Sequence, residues 1–373
     1  MALLSEALNV RDRLNRVLGQ KLRNPFRRQQ GFLVLDIGSS SVKLVEVQQG
    51  TSGPRITAIG VAPLPPGAVQ SNVVQDEAPV VEAIKRLVAQ TGAKADQVIT
   101  AVPGPAVIVK KIILPAESGA GIENAVLAEA GNVIPDSLDR VNLDYQVIDW
   151  IESGNKMEVL LVAVKREIIN SYTETIRTAG LEPVVVDVDY FALENMFELN
   201  YDPPSSHPVA LVNIGARYSS INILKDGRST FTGDVAVGGA EYTDALTRQL
   251  GLTAEQAEAA KLGKAAPGVD PAAVEPVLGS VTDFIVEEIQ RALSFFWTAA
   301  TDEPLGGIVL SGGTAHTAGL AAQLKQRLGC DVEIADPFRR VPVVRSADQQ
   351  LVQAQGPALA VAVGLASRRP GDK

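Results

Sequence analysis

The spacing of apolar and polar positions changes period several times along this 373-residue chain, and each change marks an element. Residues 33–47, LVLDIGSSSVKLVEV, read as an apolar strand, a Gly/Ser turn and a returning strand with alternating apolar positions. Residues 210–224, ALVNIGARYSSINIL, repeat that design. Laid over each other, Asp36 falls on Asn213, Ile37 on Ile214 and Gly38 on Gly215. Each copy leads into a further turn and strand, GTSGPRITAIGV after the first and KDGRSTFTGDVAV after the second. Period-two alternation predicts strands with one buried face, so each half of the chain is predicted to start with the same run of strands.

Between the two copies the period lengthens. In 76–91, Val80, Ala83, Ile84, Leu87 and Val88 fall on one helical face. Strand QVITAVP (97–103) is stopped by Pro103-Gly104-Pro105. Strand AVIVKKIIL, helix GIENAVLAEAGNVI, strands VNLDYQVIDWI and KMEVLLVAV, and helix EIINSYTETIRTAG then predict a compact β-α-β-β-α unit over 106–180. It reads as an insertion, because the strand pattern of the larger domain resumes at PVVVDVDY, before helix ALENMFEL and a hinge segment, NYDPPSSHP.

After the second hairpin come Gly238-Gly239, helix AEYTDALTRQLG and a helix opening at Thr253, TAEQAEAAKLGK. Beyond a Pro/Gly-rich loop, Val277, Val281, Phe284, Ile285, Ile289, Leu293 and Phe296 predict a long helix from about 276 to 300. Residues 307–319, GIVLSGGTAHTAG, predict a strand ending in Ser311-Gly312-Gly313, followed by helix LAAQLKQRLG, strand DVEIADP and helix PALAVAVGLAS. The implied organisation is a leader (1–30), a first domain (31–105 and 181–202), an inserted subdomain (106–180) and a second domain (203–369).

The turns carry the candidate chemistry. Backbone N–H groups at a Gly-containing turn can converge on an anion because no Cβ blocks the approach. One strand ending in Asp-x-Gly is commonly only a hairpin with turn residues. Two in register, with a third Gly-marked loop at Ser311-Gly312-Gly313, point to one nucleotide cleft.

Composition narrows the setting. Hydrophobic residues at 46% and charged residues at 21% suit an α/β protein with full-sized cores. Apolar runs such as ALAVAVGLA (358–366) are too short to span a bilayer, and Arg11, Arg13 and Arg16 interrupt any signal-peptide core. With Cys330 the sole cysteine and His207 and His316 the sole histidines, an internal disulfide is excluded and a His/Cys metal site disfavoured. A reducing, cytoplasmic setting is expected. The net charge is −9, yet residues 1–30 carry +5, which leaves −14 on an acidic body ill-suited to nucleic acid. Leu3, Leu4, Ala7, Val10, Leu14, Val17 and Leu18 give the leader a helical apolar stripe. Such a segment suits an anionic membrane surface or a partner, and equally a solvated tail.

The DIGSSSVK and NIGARYSS hairpins, the AEAAKLG helix and the SGG loop resemble the actin-like ATPase superfamily. Within it, the order of elements and the runs VVVDVDYFAL, VLSGGTAHTAGLAAQL, ADPFRR and ALAVAVGLA are most similar to the PilM family of cytoplasmic type IV pilus assembly ATPases, with FtsA next. The resemblance covers residues 31–369. It implies an α/β actin-like fold, two large domains around a nucleotide cleft, and ATP with Mg²⁺ as ligands. It also implies a PilN-like inner-membrane partner whose cytoplasmic N-terminal segment docks on the insertion, peripheral association with the inner membrane, and room for self-association.

Carried onto this chain, the resemblance assigns Asp36, Gly38, Ser39, Ser40 and Ser41 to the first phosphate loop, with Asp36 holding Mg²⁺ through waters. Lys43, on the returning strand, either neutralises phosphate or points outward. Asn213, Gly215, Ala216, Ser219 and Ser220 form the second loop. Glu258 and Lys261 lie beside the ribose, unless they are an ordinary i,i+3 surface pair, and Gly312 and Gly313 lie against the adenosine. The family pattern usually has Asp at position 213. Asn keeps hydrogen bonding but cannot take a proton as a carboxylate does, so hydrolysis is expected to be slow or absent. Two other readings share the fold: a small-molecule kinase, with Asp187 or Asp189 as its base, and an FtsA-like membrane-associated filament protein.

Overall fold

The computed structural model describes residues 31–369 and 372, apart from 51–52, 118–119, 152–153, 203–206, 300–302 and 346–347. The basic leader therefore lies outside the described residues, as do the side chains of residues 120 and 296–299, Phe296 among them.

Strands β1 (Phe32–Ile37), β2 (Ser41–Gly50) and β3 (Gly53–Pro63) form an antiparallel meander. A two-residue hairpin of β4 (Val69–Gln70) and β5 (Val73–Val74) follows. Helix α1 (Glu77–Thr91) buries Val80, Val81, Ala83, Ile84 and Leu87 and stops at Gly92, whose left-handed backbone closes the last turn onto Val88. Strand β6 (Gln97–Val102) lies parallel to β1.

The insertion contributes β7 (Val107–Pro115), α2 (Ala120–Val133), β8 (Val141–Ile151) and β9 (Lys156–Lys165), with the three strands antiparallel in the order β7-β9-β8. Its own core is Ile112, Leu114, Val126, Ala130, Met157, Val159 and Leu161. Helix α3 (Arg166–Thr178), read from the sequence as part of this unit, packs elsewhere: Ile168, Tyr172 and Ile176 join the cluster formed by β1, β2, α1 and β6. Its apolar face is broad enough to cover the larger sheet, so the insertion proper ends with β9. Strand β10 (Glu182–Val188) then pairs parallel to β6 and leads into α4 (Asp189–Asn200).

The second half repeats the plan with β11 (Val209–Ile214), β12 (Ser219–Lys225) and β13 (Arg228–Val235). Helices α5 (Ala240–Leu250), α6 (Ala254–Lys261) and α7 (Pro271–Ala299) come next. A Thr253/Gln256 capping box opens α6. Helix α7 begins five residues before the sequence-expected start and carries Pro276 inside its early turns. Strand β14 (Gly307–Ser311), helix α8 (Leu320–Leu328), strand β15 (Val332–Ile334) and helices α9 (Gln349–Gln355) and α10 (Ala360–Leu365) complete the chain.

The two five-stranded sheets have the orders β3-β2-β1-β6-β10 and β13-β12-β11-β14-β15. Each is therefore a meander with its first strand extended by two parallel neighbours. Between the sheets lies a shared cluster in which α4 and α10 bury Ala192, Leu193, Met196 and Leu359–Ala366 against Val34, Val45 and Ile99 on one side and Leu211 and Val309 on the other. The terminal helix, read from the sequence as part of the second domain, thus returns to the first. Its close approach to α4 requires Gly364, where a Cβ would lie 1.7 Å from the carbonyl oxygen of Ala192.

Candidate functional site

The two meander turns superpose in detail. In the first, Ile37 faces Val42 and the Gly38 N–H donates to the Ser41 carbonyl at 3.0 Å. In the second, Ile214 faces Ser219 and the Gly215 N–H donates to the Tyr218 carbonyl at 3.1 Å. Ser39, Ser40 and Ser41 therefore correspond to Ala216, Arg217 and Tyr218. The amides of Ser39, Ser40, Ala216 and Arg217 donate to no backbone carbonyl among the described residues, which leaves two turns with N–H groups to offer an anion.

Below the turns the copies diverge. Asp36 and Lys43 are cross-strand partners, and Lys43 Nζ lies 2.9 Å from Asp36 Oδ2, so the lysine turns inward to the carboxylate rather than to solvent. At the same positions in the second copy, Asn213 faces Ser220. Asn213 Oδ1 accepts from Ser311 Oγ at 3.2 Å, which ties the turn to the Ser-Gly-Gly loop. Ser219 and Ser220 lie in β12, fully buried; Ser219 donates to the Val237 carbonyl, while Ser220 Oγ has no hydrogen-bond partner among the described residues. They form the floor beneath the second turn, not its tip.

Gly238-Gly239, unassigned by sequence reasoning, closes the turn from the other side. Gly239 and Ala240 donate to the carbonyls of Gly215 and Ala216, each at 2.8 Å. A Cβ on Gly238 would lie 2.7 Å from Ala216 backbone, so only glycine permits this approach. Thr314, also missed, donates to Gly215 at 3.0 Å. Lys261 is only 6% exposed and pairs with Glu258 at 2.6 Å, with Nζ 3.5 Å from the Gly239 carbonyl. It is a buried lysine at the edge of the turn, not half of an ordinary surface pair. Gly312, with φ +94°, rests against Ile214 backbone, and the position of a Cβ on Gly313 faces open space.

A further set of residues lies where the domains meet. Asp189, at the start of α4, accepts from the Gly104 amide and from the Tyr218 hydroxyl, both at 2.9 Å. Burial, only partly offset by the Tyr218 hydroxyl, pushes its carboxyl up to about 8. The adjacent Tyr190 donates to Asp234 of β13. Burial likewise raises Asp234 to about 6. The pairs are reciprocal: the first domain gives Asp then Tyr, and the second answers with Tyr and Asp. The VDVDY run places carboxylates at a strand end, but which of them meets the other domain depends on packing. Asp187 does not join this group; its Oδ2 lies 3.2 Å from Arg368 Nε.

On the far side of α4, a groove of about 1710 Å³ opens between the three units. The insertion supplies β8 from Asn142 to Ile148 with Leu160 and Val162 of β9; α4 supplies Phe191, Glu194 and Glu198; the second domain supplies the β12–β13 turn, Lys225–Thr232. Burial, with repulsion from Glu198 next, raises Glu194 to about 7.

Two sheets of one topology, each bringing its first turn to the domain junction, define an actin-like ATPase fold. The ethanolamine utilization protein EutJ from Carboxydothermus hydrogenoformans shares it, with 18% identity, a TM-score of 0.50 and 93% of each chain covered. So does a diol dehydratase-reactivating factor, with 12% identity, a TM-score of 0.50 and coverage of 90% of this chain and 99% of that one. The chain belongs to the family of type IV pilus assembly protein PilM, whose pattern it matches over residues 34–370. A solved PilM-PilN type IV pilus biogenesis complex is similar over 92% of this chain and 100% of that chain, with 28% identity and a TM-score of 0.78. Among the described residues, no helix is long and apolar enough to cross a membrane.

Proposed function

We propose that this protein is an ATP- and Mg²⁺-binding adaptor of the pilus inner-membrane complex, which receives the cytoplasmic N-terminal segment of a PilN-like protein in the groove beside the insertion. The observation that carries this reading is the groove itself, whose walls come from the insertion, from α4 and from the β12–β13 turn. A change in the angle between domains must alter such a groove. Exposed strand β8 along one wall suits an extended peptide, with main-chain hydrogen bonds for affinity and side-chain contacts for specificity.

The cleft residues fit the nucleotide. The free amides of the paired turns, with Ser39, Ser40 and Ser41, suit phosphate oxygens, and Lys43 supplies a cation beside them. Lys261, Gly312 and Gly313 line the end assigned to ribose and adenine. No cluster of three metal-ligating side chains occurs among the described residues. Mg²⁺ needs none, since it is commonly held by one or two carboxylates together with phosphates and waters. Asp36 is that carboxylate, and the ion would neutralise phosphate charge. Asn213 offers no base for an attacking water, so the protein holds ATP longer than it hydrolyses it. The kinase alternative loses support because both oxygens of Asp189 are occupied and Asp187 faces Arg368.

Calorimetry with Mg·ATP and with a synthetic peptide of the partner's N-terminal segment tests the proposal. Leu160→Asp, on the groove wall, is expected to weaken the peptide at least about tenfold, or about 1.4 kcal/mol, and to leave ATP binding unchanged. Undiminished peptide affinity in that variant would move the docking site elsewhere.

A further inference from the structure

From the hydrogen bonds that join the cleft to the groove, we infer that Asp189 and Tyr190 are the relay through which nucleotide state controls peptide docking; this rests on the reading of cleft and groove given above. The path is continuous. It begins at Tyr218, whose carbonyl closes the second turn onto Gly215 and whose hydroxyl crosses to Asp189 at 2.9 Å. Asp189 is anchored in the first domain by the Gly104 amide. Gly104 has no Cβ, and one would lie 2.1 Å from the Tyr190 ring, so the turn after β6 and the start of α4 move as one piece.

From Tyr190 the path returns to the second domain twice. Its hydroxyl donates to Asp234, and its carbonyl accepts from Asn222 Nδ2 at 3.1 Å. Asn222, fully buried, accepts from Ser229 Oγ at 2.7 Å. Ser229 lines the groove: its amide donates to Glu194 of α4 at 3.2 Å, and its carbonyl accepts from Lys111 of the insertion at 3.2 Å. One serine thus joins the second domain, α4 and the insertion at the groove wall.

Buried hydrogen bonds of this kind behave as two-state contacts. They weaken steeply once the donor–acceptor distance or angle leaves its narrow range, and a buried acceptor left unpaired is costly. A ligand that alters the second turn moves the Tyr218 hydroxyl relative to Asp189. Because Asp189 and Tyr190 are consecutive on a rigid helix start, the pairs to Tyr218 and Asp234 must shift together, and the Asn222–Ser229 link carries the shift to the groove. Coupling is reciprocal, so peptide in the groove must change ATP affinity by the same factor as ATP changes peptide affinity.

The test is a thermodynamic cycle on the full-length chain, using Mg·ATP and a fluorescent peptide of the PilN-like partner's cytoplasmic N-terminal segment. The peptide Kd is measured with and without saturating Mg·ATP. In wild type the two values should differ by about 5- to 150-fold, the usual range of allosteric coupling. In Tyr218→Phe and in Tyr190→Phe, each lacking only one hydroxyl, the ratio should fall below about twofold whatever the separate affinities become. Hydrogen exchange at the Ser229 amide gives a peptide-free readout: Mg·ATP should change its rate in wild type and not in Tyr218→Phe. Full coupling in both variants would overturn the relay. So would a wild-type ratio of one with both ligands bound, although the cleft and groove assignments would then stand. Failure of either ligand to bind wild type overturns the functional reading and the relay with it.

Discussion

In the first turn Asp36 faces Lys43 across the ladder at 2.9 Å; at the equivalent positions of the second, Asn213 faces Ser220 and neither carries charge. The backbone around them is the same, down to the Gly N–H that closes each turn at 3.0 and 3.1 Å. The duplication has kept the shape that presents amides to an anion and divided the electrostatics. One copy carries the carboxylate suited to a metal and the cation suited to phosphate, while the other contributes neutral hydrogen-bonding groups. The crossovers after the fourth strand of each sheet diverge in the same spirit. Residues 103–181 contain the insertion and one groove wall, whereas residues 312–331 remain a glycine loop and one helix. On the reading proposed above, such a chain would hold nucleotide between similar halves, with a partner groove that the insertion and α4 of one half wall together with the β12–β13 turn of the other.

The sharpest way to break this asymmetry is to restore the missing carboxylate. Asn213→Asp should increase phosphate release, by up to about 10²-fold, the lower end of general-base effects, and Asp36→Ala in the same background should abolish the gain. A malachite-green assay decides it. An unchanged rate would mean that position 213 is not where water is activated.

Next in size is the loss of ATP affinity from filling a turn. A Cβ on Gly38 would lie 3.3 Å from Lys43 Nζ, and one on Gly215 would lie 3.0 Å from the Tyr218 carbonyl. Gly38→Val and Gly215→Val should each weaken Mg·ATP by about 10- to 100-fold, from 1–3 kcal/mol of misfit. Only Gly38→Val should also reduce the dependence of binding on Mg²⁺, because Asp36 stands on that side. Calorimetry with and without the ion separates the two turns.

The junction between the halves has its own signature in pH. The Asp189 carboxyl sits at about 8 when folded, against 3.8 ordinarily, because burial, with repulsion from Asp234 and Asp36, outweighs the hydrogen bonds from the Tyr218 hydroxyl and the Gly104 amide. A raised carboxyl favours the folded state when protonated. Its contribution is therefore fullest below pH 4, declines as pH rises to 8, and stays flat above that. Relative to wild type, Asp189→Asn should gain Tm progressively over that window. A constant difference across it would contradict the burial.

The smallest effect concerns the ion pair of the first turn. Asp36 and Lys43 are 17% and 16% exposed, and partly exposed pairs contribute about 1 kcal/mol or less. Lys43→Met should lower Tm by only a few degrees in a chain of this size while weakening ATP measurably. A large loss of stability with ATP affinity intact would make Lys43 structural.

Much of this architecture was readable along the chain because it rests on local rules. The two turns show as strand–Gly–strand with alternating apolar positions, and β8 begins and ends where its pattern predicted, at Val141 and Ile151. The capping box at Thr253 and the left-handed stop at Gly92 are equally local. Other features were settled only when distant segments packed. The face of α3 has helical periodicity whichever core it joins, and only the wide sheet of the first domain could bury Tyr172 and Ile176. The run ALAVAVGLA shows a buried helix but not its host; the 1.7 Å between a Cβ on Gly364 and Ala192 shows why it must be α4. Period-two alternation left Lys43 free to face either way until its pairing with Asp36 turned it inward. Asp189 and Tyr218 are 29 residues apart in different domains, each in a run that the sequence marks but with nothing in either run to pair them; their hydrogen bond exists because two sheets meet at α4. Local pattern reports which face of an element is apolar, and long-range packing decides what that face, and each polar group beside it, will touch.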